Sequence, residues 1–268
     1  MPQLTASDGC RVHYDIVGAG EAVVLIPGLG GDGRFWEPVA ALLADRFRLI
    51  LVDHRGAGRS DRPLGPYSLG RIAQDVTEIL DAESLPAAHL VGHSTGGAIV
   101  QTLALDAPAR ARRLVISGSW PAADARFRLL FQARLALLEQ NQPEIYQAFT
   151  HVLGYPPEWL AAHEHALAGA VERARATLSP LDVTAARIRM LLEHDRLADL
   201  PRIAAPTLVL GAPDDEMVPY SHAVEIAARV PGAVLEPIPG GHFFPRVDPA
   251  RFAERVGSFL GPSADVPA

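Results

Sequence analysis

Gly92-His93-Ser94-Thr95-Gly96 fits the pattern Gly-x-Ser-x-Gly, and its surroundings limit what this chain can fold into. The apolar run His89-Leu90-Val91 precedes it, and a helix-like run with Ala98, Ile99, Leu103 and Leu105 follows. A strand must therefore turn into a helix at Ser94. Such a turn is sharp and strained. Gly92 and Gly96 carry no Cβ, so neighbouring backbone can pass close by. The serine hydroxyl then stands clear of the surface. The free N–H groups and positive dipole end of the helix's first turn face the same place. A developing negative charge on oxygen is stabilised there.

The rest of the chain repeats one rhythm around this turn. Residues 3–17 read as a hairpin around Asp8-Gly9. Ala22–Ile26, Arg48–Val52 and Leu114–Ser117 are mostly apolar runs of strand length, the mark of parallel strands buried on both faces. Helical patterns lie between them: Trp36–Leu43, then Ser68–Leu85, then the run behind Ser94 to about Ala107. In the second, Leu69, Ile72, Ala73, Val76, Ile79 and Leu80 share one face, with Ser68 placed as its N-cap. This alternation predicts an α/β fold with a mostly parallel sheet flanked by helices. From about Pro121 to Leu200 the strand runs stop. Helical patterns take over at Phe127–Leu138, Ile145–Leu153, Trp159–Leu178 and Ala185–Leu192. The expectation is a helical cap, residues 121–200, inserted into a core of residues 1–120 and 201–268. Strands resume at Thr207–Leu210 and Val234–Ile238, a last helix spans Pro249–Leu260, and a frayed tail is expected after Gly261.

Composition narrows the class of partner. A net charge of −7 gives no basic face for a nucleic acid. No apolar run approaches the roughly 18 residues of a membrane span. One cysteine, Cys10, makes neither an internal disulfide nor a cysteine-based metal site. The N-terminus lacks the basic and apolar regions of a signal peptide. His163-Glu164-His165 sets its two imidazoles on different helix faces. A cytoplasmic enzyme of a small-molecule substrate is expected, with no metal, no cofactor, and no nucleic-acid or membrane partner.

A serine hydroxyl needs a base to become a nucleophile, and the base needs a carboxylate to orient it. The run past Leu210 contains Pro213-Asp214-Asp215-Glu216-Met217-Val218-Pro219, and the run past Ile238 contains Pro239-Gly240-Gly241-His242. Both lie past the carboxyl ends of strands, where ligands gather in open α/β sheets and where Ser94 also sits. Order and spacing allow either aspartate to serve.

Five motifs in order now resemble one family, the α/β-hydrolase fold with a helical cap. They are Pro27-Gly28-Leu29-Gly30-Gly31, Asp53-x-Arg55-Gly56-x-Gly58-x-Ser60, Gly92-x-Ser94-x-Gly96-Gly97, Asp215-x-x-Val218-Pro219 and Gly241-His242. The resemblance implies Ser94 as nucleophile, His242 as general base and acid, and Asp215 as the orienting acid, with Asp214 as runner-up. It implies an oxyanion hole from the N–H groups of Leu29 and Thr95. The chain departs from the commoner pattern in having Pro27 where a histidine precedes the first glycine. The implied activity is hydrolysis of a small carboxylic ester or lactone through an acyl-enzyme. Similarity to 3-oxoadipate enol-lactonases and to aminoacrylate (carbamate) hydrolases extends this to a carbamate or enamine C–N bond. Carbon–carbon bond hydrolysis and perhydrolysis use the same triad, and a non-catalytic ligand-binding protein on this fold stays open. Trp120, Phe127, Phe131, Trp159 and Phe243 are candidates to line the substrate pocket. His93 and the Asp53–Ser60 loop are read as structural.

Overall fold

The computed structural model describes residues 2–261, so the tail expected after Gly261 lies outside the described residues. The chain begins with β1 (Gln3–Thr5), β2 (Arg11–Val17) and β3 (Glu21–Ile26), followed by α1 (Glu37–Leu43) and β4 (Phe47–Val52). Next come α2 (Leu69–Ala82), β5 (Ala88–His93), α3 (Thr95–Asp106) and β6 (Ala111–Ser117). Six helices follow: α4 (Ala125–Glu139), α5 (Pro143–Gly154), α6 (Pro157–Ala162), α7 (Glu164–Glu172), α8 (Ala174–Thr177) and α9 (Leu181–Leu192). The chain then returns through β7 (Thr207–Gly211), α10 (Tyr220–Arg229), β8 (Val234–Pro237), α11 (Phe244–Val247) and α12 (Pro249–Leu260).

The eight strands form one sheet in the order β1-β2-β4-β3-β5-β6-β7-β8. β1 and β2 run antiparallel at one edge, and β4 to β8 and β3 are parallel. Side chains alternate faces along a strand. In β3, Val23 and Leu25 enter one core while Val24 and Ile26 enter the other. In β4, Leu49 and Leu51 oppose Ile50 and Val52 in the same way. Each run is apolar throughout because each face is covered. One core is closed by α1 and α12, through Val39, Leu43, Phe252 and Val256. The other is closed by α2, α3 and α10, through Ile72, Val76, Ile99, Leu103 and Ile226. Ser68 caps α2 by accepting the Arg71 N–H at 3.1 Å.

From β3 the chain moves to β4 on one side; from β5 it moves to β6 on the other. Strand order therefore reverses between β3 and β5. The crevice past their carboxyl ends is where such a sheet receives a ligand. It lies between the loop after β3, Pro27–Gly31, and Ser94 after β5.

The helical stretch leaves and rejoins the sheet at one place. Ala122 and Asp195 form an isolated antiparallel bridge, and the Arg196 N–H donates to the Pro121 carbonyl at 2.8 Å. The pattern over Trp159–Leu178 is three short helices rather than one. The His163 Nδ1 turns back to the Trp159 carbonyl at 2.8 Å, and the backbone leaves helical geometry at His163 and again at Arg173. Neither α6 nor α7 has a buried residue, so no packed stripe holds them in one line. Among the described residues no helix is long and apolar enough to cross a membrane.

Asp53 anchors the loop after β4. It is fully buried and accepts the Gly33 N–H at 2.7 Å, the Arg59 N–H at 2.8 Å and the Arg59 Nε at 2.8 Å. Asp53→Ala orphans two backbone donors and loosens Arg59. It should lower the unfolding free energy by about 3 kcal/mol, read from the urea midpoint. A change below about 1 kcal/mol would show that the loop stands without it.

Three buried histidines are held neutral. Burial pushes down the pKa of His54, His93 and His194, the last to about 4. Arg187 adds to this at His54, His242 at His93 and Arg196 at His194. The unfolded chain takes up these protons near pH 6.5 and the native chain does not, so stability is full above that pH and lost below it. The unfolding free energy should fall by about 1.4 kcal/mol per pH unit for each histidine as pH drops from 6.5. Urea titrations between pH 7 and pH 4 check this, and His194→Gln should make the slope shallower.

Candidate active site

Ser94 sits at the junction of β5 and α3 with φ 54° and ψ −117°, a left-handed conformation that side chains rarely adopt. Packing imposes it. A Cβ on Gly92 would lie 2.2 Å from the Gly96 carbonyl oxygen, and one on Gly96 would lie 2.0 Å from the Ile26 carbonyl oxygen. Strand, turn, helix and the end of β3 are thus pressed backbone to backbone. The Ser94 N–H donates to the Ser117 carbonyl of β6 at 2.8 Å, which pins the turn to the next strand.

The loops after β7 and β8 bring two side chains to this serine. His242 Nε2 lies 3.0 Å from Ser94 Oγ, and His242 Nδ1 lies 2.7 Å from Asp215 Oδ2. All three residues are buried. With Nδ1–H donating to the carboxylate, Nε2 is left as the acceptor for the hydroxyl. The other oxygen of Asp215 accepts the N–H groups of Met217 and Val218 at 2.8 and 2.7 Å, so the carboxylate cannot rotate freely. Asp214 points elsewhere. Its oxygens accept the N–H groups of Gly240 and Gly241, at 3.0 and 2.9 Å, and so hold the loop that carries His242. One aspartate contacts the imidazole and its neighbour contacts the backbone beside it.

His93 packs under the site. Its ring stacks on Phe35 at 5.2 Å, lies 5.0 Å from the His242 ring, and places Nδ1 3.1 Å from Ser117 Oγ. Thr95 is the first residue of α3, where an N–H has no earlier carbonyl to bond. Leu29 lies in the loop after β3. A Cβ on Gly28 would be 3.3 Å from Ser94 Cβ, so this loop touches the serine.

Above these groups is a cavity of about 570 Å³. The sheet side of its lining includes Leu29, Ser94, Met217, His242 and Phe243. The helical side includes Phe131 and Arg134 of α4, Tyr146 and Gln147 of α5, and Arg187 of α9. Of the five pocket candidates, Phe131 and Phe243 line the cavity. Trp120 and Phe127 do not: both are fully buried and pack ring against ring at 4.4 Å. Phe131, one turn beyond Phe127 on the buried stripe of α4, is where that stripe meets the cavity. Trp159 stacks between Tyr155 and His163 at 3.8 Å from each, and Tyr155 takes the lining position instead.

Two of the charged lining residues that the motifs left unmarked are buried. Arg134 is buried between the Phe131 and Tyr146 rings, with Nη2 donating to Tyr146 Oη at 3.0 Å and Thr150 Oγ1 at 2.9 Å. Arg187 is buried with Nη2 donating to His54 Nδ1 at 3.0 Å. Each replaces an apolar residue in its helix's buried stripe: Arg134 among Phe127, Phe131 and Leu138, and Arg187 among Val183, Ile188 and Leu191. A charge at such a position was the available signal.

Comparison with known proteins agrees with this architecture. The protein named "Putative carbamate hydrolase RutD" from Caulobacter vibrioides is 38% identical over 266 residues, covering 97% of this chain and 99% of that one. The crystal structure of a hydrolase from Pseudomonas aeruginosa PA01 superposes with a TM-score of 0.87 at 33% identity, covering 97% of this chain and 98% of that one. The enol-lactonase from Burkholderia xenovorans LB400 shares the fold, with a TM-score of 0.89 at 22% identity, covering 97% and 99%. Residues 21–249 match the family model described as the alpha/beta hydrolase fold. With the strand order, the turn at Ser94 and these relatives together, the chain belongs to the α/β-hydrolase fold family and is one of its hydrolases.

Proposed function

We propose that this chain is a serine hydrolase that cleaves a small carboxylic ester or lactone, or a carbamate, through an acyl-enzyme on Ser94. The observation that carries the reading is the buried chain of contacts from Ser94 Oγ through His242 to Asp215, at 3.0 and 2.7 Å. In the first step Ser94 Oγ attacks the substrate carbonyl and His242 Nε2 takes the hydroxyl proton. The imidazolium formed is stabilised by Asp215, already aligned by two backbone donors. The negative oxygen is received by the N–H groups of Thr95 and Leu29, each worth on the order of 3 kcal/mol of barrier. His242 then protonates the leaving group. Water, deprotonated by His242, attacks the acyl-enzyme, and the imidazolium returns that proton to Ser94 Oγ as the acid leaves. The carbamate option rests on the relatives so named. A cavity of about 570 Å³ suits a small molecule. In this reading residues 121–200 are the cap that shapes it.

Treatment with a neutral fluorophosphonate should add one phosphonyl group to the intact mass, and Ser94→Ala should take none and turn over no ester. Normal turnover by Ser94→Ala would sink the mechanism. Asp215→Asn should cut kcat about 10⁴-fold, because the amide favours the wrong imidazole tautomer. Asp214→Asn keeps an acceptor oxygen for the Gly240 and Gly241 N–H groups and should cost no more than about tenfold. The reverse ranking would move the acid to Asp214.

A further inference from the structure

Outside the cavity, the buried arginine among the described residues, Arg55, is paired with carboxylates. Arg55 binds Asp75 at 2.6 Å and Asp8 at 2.7 Å. The two buried arginines of the cavity are not; the half-buried Arg246 on its lining donates to the Arg34 and Phe35 carbonyls. Among the described residues, neither Arg134 nor Arg187 has a carboxylate within ion-pair distance. Arg134 has hydroxyl and ring partners. Arg187 is 2% exposed, its Nε has no hydrogen-bond partner, and Nη2 reaches only a neutral histidine nitrogen. Burial lowers its pKa to about 10, which still leaves it cationic at neutral pH. A buried cation without a counter-charge is costly to a fold. Its place in a ligand cavity gives that cost a function.

The geometry relates this cation to the serine. Gly28 touches Ser94, and Gly31, at φ 71°, touches Arg187: a Cβ there would lie 2.5 Å from Nη2 and 2.9 Å from Nη1. The Gly31 N–H donates to the Gly28 carbonyl at 2.9 Å, so the two glycines are the ends of one tight turn. Ser94 and the guanidinium therefore stand one turn apart in the same cavity. The cavity's own carboxylates lie elsewhere: Asp32 pairs with Arg34, and Glu37 is exposed. We infer that this hydrolase takes a substrate bearing a carboxylate, which Arg187 receives across the cavity from Ser94 while Arg134 adds positive potential. A planar fork matches a carboxylate's two oxygens. The class is a short-chain ester, lactone or carbamate ending in a free acid. The inference rests on the serine-hydrolase reading above.

The test compares monomethyl glutarate with its neutral isostere methyl glutaramate, in a pH-stat. Wild-type protein should favour the acid in kcat/KM by about 100-fold. Arg187→Met should raise KM for the acid and bring the ratio near one, and Arg187→Lys should restore part of it. Glutarate should slow fluorophosphonate labelling of wild-type Ser94, and glutaramide should not. Equal turnover of the two esters, labelling indifferent to glutarate, or a ratio unchanged in Arg187→Met would overturn the inference. If Arg187→Met does not fold, the wild-type ratio and the labelling decide alone. Wild-type protein that takes no phosphonate at all would instead overturn the hydrolase reading.

Discussion

The structure depends on a close approach of backbone around Ser94. Four segments meet there: the end of β3, β5, the start of α3 and the end of β6. The Gly96 position lies against the Ile26 carbonyl, the Gly92 position lies against Gly96, and the Ser94 N–H is bonded to Ser117. No single contact holds the serine at positive φ; the neighbours leave no other path. Strain of this kind costs on the order of 1–3 kcal/mol and persists only when the surroundings over-determine it. Here the surroundings are the central strands of an eight-stranded sheet with a core on each face. The hydroxyl is placed by strands packed on both faces.

The partners of the serine ride on loops, and the loops are tied to each other. Asp214 and Asp215 are adjacent in sequence and divide two tasks. Asp215 fixes the imidazole, and Asp214 fixes the two glycine N–H groups next to it. The β7 loop thus sets both the ring of His242 and the backbone that carries it. A displacement of that loop would shift Asp215 and His242 together rather than part them.

Much of this was legible in the chain. Strands buried on both faces leave continuous apolar runs, so β3, β4, β6 and β7 could be read directly. The turn at Ser94 announced itself through its glycines, and the Asp and His loops through their places after strands. What escaped has physical reasons. The choice between Asp214 and Asp215 is a matter of where a loop points, which order and spacing leave open and for which only the family resemblance favoured Asp215. Phe127 is a large aromatic on a helix and Trp120 one in the segment before it, and nothing local says whether such a ring faces a core or a cavity. The break of one helical pattern into α6, α7 and α8 follows from missing tertiary packing, which periodicity does not record. Arg134 and Arg187 stood in plain view as charges on apolar stripes, and only their convergence in space gives them a shared meaning.

The helical stretch between β6 and β7 has a narrow neck. Ala122 pairs with Asp195, and Arg196 bonds back to Pro121, so some 70 residues depart from and return to a single point on the sheet. Strand register on either side does not depend on what the stretch contains. Such a neck separates two kinds of inheritance. The part beneath it can stay constant while the part above is lengthened, shortened or re-lined, so a change of cavity shape leaves the sheet and the groups it carries in place.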